Sequence, residues 1–228
     1  MTRIGIFGGT FNPIHQGHLR IAGEVLEQLS LDRVIFMPSG EPPHKKDSDV
    51  VTPDHRLEMV RLAVRSHEKF EVSTLEVDRK GPSYSVDTVK ELRSLLGRET
   101  ELFFIVGIDA FLDVMTWKRP EELFSLCHFV VISRPGYRFS DLKGLPPLQG
   151  TPVSSLASLD RCEIRSLEGP LSPRSRLFLQ TVTPCDVSAT ELRQRIGQGE
   201  DLKNLLPEPI KLYILKKKLY RDSSTRGV

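Results

Sequence analysis

Ile4-Gly5-Ile6-Phe7-Gly8-Gly9-Thr10-Phe11-Asn12-Pro13-Ile14-His15-Gln16-Gly17-His18 decides the reading of this chain. Ile4 to Phe7 is a short apolar run ended by glycines, the pattern of a strand buried on both faces. Ile21, Ala22, Val25, Leu26 and Leu29 follow at helical spacing. The stretch therefore runs strand, glycine turn, helix start, and it sets two histidines that straddle a glycine at the head of the helix. Gly8 and Gly9 let the backbone approach a ligand closely. A helix N-terminus attracts anions through its free N–H groups and its macrodipole. A Gly-Gly pair alone would be an ordinary turn. With imidazole donors from His15 and His18 beside it, the turn reads as a phosphate site.

Outward from this stretch, apolar runs alternate with amphipathic segments. Arg33 to Met37 is the next strand, stopped by Pro38. Thr52-Pro53 supplies a cap and first-turn proline for a helix carrying Leu57, Val60, Ala63 and Val64. Phe70 to Val77 alternates like a strand, and Val86, Val89, Leu92 and Leu96 mark a third helix. Leu102 to Val106 and Phe129 to Ile132 are two more core strands, separated by a helical stretch containing Trp117. The expected fold is α/β: a doubly wound, mostly parallel sheet with helices on both faces. Residues 143–175, rich in Pro, Gly and Ser, read as a loop-rich surface insertion with an extra strand around Cys162 to Ser166. Arg176 to Val182 is a further strand, helices over about 189–197 and 205–219 form a small C-terminal helical part, and 221–228 is a flexible tail. We expect one domain over 1–228, with ligands at the carboxyl ends of the strands.

The 228 residues are 39% hydrophobic and 27% charged, with 16 Gly and 16 Pro, which excludes collagen-like, low-complexity and wholly disordered classes. A net charge of +2 gives no argument for a nucleic-acid or membrane partner. Cys127, Cys162 and Cys185 are widely spaced and odd in number, so reduced thiols fit better than a disulfide framework. The longest strongly apolar run, Leu102 to Ile108, is far shorter than the roughly 20 residues that span a bilayer. No signal peptide is evident, and a cytoplasmic protein is expected. The oligomeric state stays open, a homo-oligomer included.

Two familiar phosphate loops fail. The pattern G-x-x-x-x-G-K-[ST] is absent, and Gly5, Gly8 and Gly9 have the wrong spacing for G-x-G-x-x-G. The second strand also ends without an acidic residue for a ribose hydroxyl. A zinc reading of His15 and His18 lacks a clear third ligand beyond His44.

Gly8 to His18 resembles the GGTFNPxHxGH signature of the nucleotidyltransferase superfamily that transfers adenylyl groups from ATP. Within it, the chain is similar to the bacterial nicotinate-nucleotide adenylyltransferases over nearly its whole length. Pro42-Pro43-His44-Lys45 matches their loop after the second strand, Tyr84-Ser85-Val86-Asp87-Thr88 their YSxDT segment, and Gly107-Ile108-Asp109 their GxD. Trp117 and Ser133-Arg134-Pro135-Gly136 fall in order. Val187-Ser188-Ala189-Thr190-Glu191-Leu192-Arg193 stands where the superfamily has ISSTxIR, with Ala189 replacing one serine.

The resemblance implies a Rossmann-like nucleotidyltransferase fold and attack of the nicotinate mononucleotide phosphate on the α-phosphorus of ATP. That nucleophile is already largely ionised at neutral pH, so positioning and charge neutralisation are needed rather than a general base. The implied catalytic residues are His15 and His18 at the α-phosphate, Lys45 over the acceptor phosphate, and Arg193 with Ser188 and Thr190 at the β/γ end. Implied substrate contacts are Gly8, Gly9, Thr10 and Phe11 in the first turn, Tyr84, Ser85 and Thr88, Gly107, Asp109 on a ribose hydroxyl, Trp117 stacked on the pyridine ring, and Arg134 on the adenine side. Backbone N–H groups at a helix start near Ser85 would favour the nicotinate carboxylate, and an exposed Lys118 would add only weak long-range attraction. Ser188 and Asp109 also read as simple N-caps, Trp117 as ordinary core packing, and Arg134 as a surface arginine. Mg²⁺ would ride on the ATP phosphates, since no clustered carboxylates suggest a protein cage. Two alternatives stay open: the pantetheine-phosphate adenylyltransferases, which lack the Pro-Pro-His-Lys and YSxDT segments, and a non-catalytic dinucleotide sensor.

Overall fold

The computed structural model describes residues 1–41, 50–97, 99–185, 187–202 and 204–220. Among the described residues seven strands form one sheet: β1 (Thr2–Gly9), β2 (Arg33–Pro38), β3 (Phe70–Val72), β4 (Thr100–Gly107), β5 (His128–Ile132), β6 (Ser166–Ser172) and β7 (Ser175–Gln180), in the order β3-β2-β1-β4-β5-β7-β6. Every pairing is parallel except β6 against β7. The order reverses between β1 and β4, which opens a crevice beyond their carboxyl ends.

The central strands are apolar throughout because both faces are covered. On one face Phe7, Phe36, Phe103, Ile105, Val130 and Ile132 pack against helices α1 (Gln16–Gln28), α2 (Pro53–Val64), and, among those that close the chain, α8 (Ala189–Gln198) and α9 (Glu208–Lys217). On the other face Ile4, Ile6, Met37, Phe104, Val106 and Val131 pack against α4 (Ser85–Leu96), α6 (Pro120–Leu126) and α7 (Val153–Asp160). Neighbours along a strand fall in opposite clusters, as the two-residue period of a strand requires. The doubly wound α/β sheet with helices on both faces and a C-terminal helical part is therefore the fold, as expected.

Three local readings change. Phe70 to Val77 is not one strand. β3 stops at Val72, and α3 (Leu75–Asp78) follows, its turn closed by Thr74 Oγ1 donating to Asp78 Oδ2 at 2.6 Å. Alternation here gives way to local bonds, among them Leu75 N–H donating to Ser73 Oγ at 3.3 Å. Trp117 does not lie within a helix but follows the 3₁₀ turn Val114–Thr116, which comes after α5 (Ile108–Phe111) and before α6. Residues 143–175 carry more regular structure than a loop: α7 buries Leu156 and Leu159, and β6 starts at Ser166, where the expected extra strand was to end. β6 adds to β7 with a register shift between Pro170 and Ser172. The tail 221–228 lies outside the described residues.

Candidate active site

β1 ends at Gly9, and the chain turns through Phe11, at φ 48°, before α1 begins. The turn opens onto a cleft of ≈ 1350 Å³ at the carboxyl ends of β1, β4 and β5. A Cβ on Gly8 would meet nothing within 4 Å, so the backbone there faces open space. Gly17 is more closely packed. A Cβ there would lie 2.9 Å from Cys185 Sγ and 3.0 Å from His15 Nδ1.

His15 caps α1 and His18 lies one turn on, with ring centroids 3.8 Å apart. The backbone N–H of His15 donates to His18 Nδ1 at 3.2 Å. A neutral His18 so engaged carries its proton on Nε2, which makes that nitrogen a donor. Burial, with the charge of Arg134 adding to it, pushes His15 down to about 4. Burial first, then His15 and Arg134, holds His18 well below the ordinary histidine value. Both rings are neutral donors at pH 7.

Five buried side-chain polar atoms lack a hydrogen-bond partner among the described residues, and three of them, His15 Nδ1, Ser39 Oγ and Asp109 Oδ1, belong to residues lining this cleft. Buried polar groups are nearly always satisfied, so such a cluster marks where a ligand supplies the missing bonds. Asp109 follows Gly107 at the end of β4, and its other oxygen pairs with Arg134 at the end of β5. A Cβ on Gly107 would sit 2.4 Å from Asp109 Oδ1, so the glycine makes room for that carboxylate.

Most of the expected residues meet here. Gly8, Gly9, Thr10, Phe11, His15, His18, Ser85, Thr88, Gly107, Asp109, Trp117, Arg134, Ser188, Thr190 and Arg193 all line the cleft. Trp117 stands edge-on to Phe104 with centroids 6.1 Å apart and forms part of the wall. Ser188 Oγ accepts from Glu191 N–H at 3.1 Å and so caps α8, while Arg193 Nη1 donates to Asn12 O at 3.0 Å. That bond joins the last motif to the first.

Other placements differ. Tyr84 is not among the cleft residues; its ring packs beside the second core cluster, with Lys118 Nζ 4.2 Å from its centroid. Lys118 does not line the cleft either, and it donates to Asp87 Oδ2 at 2.9 Å, which takes up its charge. Thr88 is buried and its hydroxyl donates to Glu76 Oε1 at 2.7 Å while accepting from Arg79. Lys45, with the whole Pro42 to Lys45 segment, lies outside the described residues. The sequence reading missed Ser39 and Glu76, which the topology brings in from the end of β2 and from α3. It also missed Arg56, which had a readable sign. A charged residue occupies a position of the apolar stripe it shares with Met59, Val60 and Ala63.

A doubly wound sheet with its anion-ready turn after β1 and an arginine helix closing back over it is the plan of a nucleotidyltransferase. Residues 6–195 match the cytidylyltransferase-like family. A protein of Thermoanaerobacter sp. (strain X514) named "Probable nicotinate-nucleotide adenylyltransferase" is 40% identical over 226 residues, 99% of this chain and 98% of that protein. One of the same name from Desulfitobacterium hafniense (strain Y51) is 42% identical over 219 residues, 96% of each. The chain belongs to the cytidylyltransferase-like family and, within it, to the nicotinate-nucleotide adenylyltransferases. Its fold is that of the Plasmodium falciparum nicotinic acid mononucleotide adenylyltransferase complexed with NaAD, at a TM-score of 0.70 and 18% identity over 96% of this chain and 98% of that one.

Proposed function

We propose that the chain transfers the adenylyl group of ATP to nicotinate mononucleotide, giving nicotinate adenine dinucleotide and pyrophosphate. The observation that carries this reading is the convergence of three unsatisfied buried polar atoms, two neutral imidazoles and Arg193 on one cleft. An acceptor phosphate oxygen forms the new bond to the α-phosphorus as the bond from that phosphorus to the β-bridging oxygen breaks, and pyrophosphate leaves with the electron pair. The nucleophile arrives ionised, so the histidines act as donors and not as bases. His18 Nε2–H and His15 meet the α-phosphate at the start of α1, whose free N–H groups add to the same field. Arg193, Ser188 and Thr190 take the β/γ end, and Lys45 the acceptor phosphate.

Asp109 Oδ1 accepts a ribose hydroxyl, which supplies the hydrogen bond it lacks, and Arg134, which pairs with Asp109, takes the adenine side. Trp117 stacks on the pyridine ring. The first turn of α4, at Ser85, faces the ring carboxylate with helix N–H groups. With Lys118 neutralised by Asp87, selectivity for nicotinate over nicotinamide rests on that turn. Mg²⁺ carried on the ATP phosphates would offset charge on the pyrophosphate; among the described residues no group of three or more His, Cys, Asp and Glu is placed to hold a metal. The test is an assay of dinucleotide and pyrophosphate with ATP and each of three acceptors. Nicotinate mononucleotide should give a clearly higher kcat/KM than nicotinamide mononucleotide, and phosphopantetheine should give none. Absence of dinucleotide from either mononucleotide would overturn the proposal.

A further inference from the structure

Asn12 sits between the strand-end glycines and the two histidines, and distant parts of the chain hold it in place. Its Oδ1 accepts from the Tyr220 hydroxyl at 2.9 Å and from the Val51 N–H at 3.2 Å. Its carbonyl accepts from Arg193 Nη1. Two residues earlier, the Thr10 carbonyl accepts from Arg56 Nη1 at 2.8 Å. Arg56 is only 1% exposed, and its Nη2 and Nε donate to Gly40 O at 2.9 Å and Val51 O at 3.2 Å. Those three carbonyls come from the turn after β1, the end of β2 and the approach to α2. A planar guanidinium spread over them fixes backbone to backbone, which a flexible side-chain contact would not do. Tyr220 closes the same junction from the far end of the chain, its ring packed against the core on the α1 and α2 face.

Neither Arg56 nor Tyr220 lines the cleft, so any influence on chemistry there must pass through the turn they hold. We infer that Arg56 and Tyr220 are positioning residues for adenylyl transfer, holding Thr10 to Asn12 and thereby His15 and His18 where they meet the α-phosphate. The inference rests on the function proposed above. Small displacements of such donors reduce turnover far more than they reduce ground-state binding.

Tyr220→Phe removes one oxygen and keeps the ring. Its kcat should fall about tenfold with KM for ATP and for the mononucleotide changed by less than about twofold, the signature of an interaction felt in the transition state. Arg56→Lys, which keeps the charge but cannot span three carbonyls, should show the same split. The ring-proton resonances of His15 and His18, read by NMR without turnover, should shift or broaden in Tyr220→Phe while those of exposed His67 stay fixed. The inference is overturned if kcat and both ring signals of Tyr220→Phe equal those of the unsubstituted chain. It is equally overturned if the loss of kcat merely tracks a loss of folded protein. If the unsubstituted chain makes no dinucleotide, the functional reading fails, and the ring signals alone decide whether Tyr220 and Arg56 position the histidines.

Discussion

At His18 the local hydrogen bond settles which ring nitrogen carries the proton. Nδ1 is engaged by the His15 N–H, so Nε2 presents its proton to the cleft without any ionisation of the ring. His18→Ala should therefore lower kcat by at least ~100-fold, the scale of losing one preorganised donor, with ATP affinity changed much less. Steady-state kinetics beside calorimetric ATP titration would show it, and a near-normal kcat would remove His18 from the mechanism. The histidine pair was legible from its place at a strand-to-helix turn, whereas Asp109, Trp117, Arg134 and Arg193 were picked out by the family resemblance; all six line one cleft. Tyr220 was not legible. Its partner Asn12 lies 208 positions away, and a lone aromatic near the end of a chain carries no sign of what it touches.

Elements decide how tightly these residues are held. The start of α4 is tied to the turn after Trp117 by Asp87, which pairs with both Lys118 and Arg119. That tie keeps the indole at the wall of the cleft. Trp117→Ala should weaken both pyridine mononucleotides by similar factors, roughly tenfold, because stacking does not distinguish a carboxylate from an amide. Unequal losses in KM would contradict a stacking role. At the end of β2, a Cβ on Gly40 would lie 2.1 Å from the backbone carbonyl of Glu76 on α3. Backbone cannot move aside cheaply, so Gly40→Ala should destabilise the fold by about 1–3 kcal/mol, measured by urea denaturation. The core strands were readable because burial on two faces leaves continuous apolar runs. The short α3 and the strand β6 were harder to read. A Thr-Asp bond overrides the alternation in the first, and the second carries glycine and proline that read as loop.

Across the whole molecule, the depressed histidines link the site to acid stability. In the unfolded chain His15 takes up its proton near 6.5, but in the fold only near 4. Between those values the unfolded state binds more protons, so stability is lost as pH falls from about 6.5 towards 4. Buried Glu76, raised above its ordinary value, works with the opposite sign. Tm should decline from pH 7 to pH 4.5, and His15→Gln should flatten that decline; an unchanged slope would show that the ring is not buried as a neutral group. The two rims of the sheet carry a further consequence. β3 offers only three residues, and β6 is antiparallel, interrupted by Pro170 and shifted in register beside it. Proline has no N–H to give, and an irregular rim cannot template a straight partner. Edge-to-edge growth into fibrils is blunted on both sides, so a crowded or partly heated solution of this protein should resist the cross-β aggregation to which long, flat sheet edges are prone.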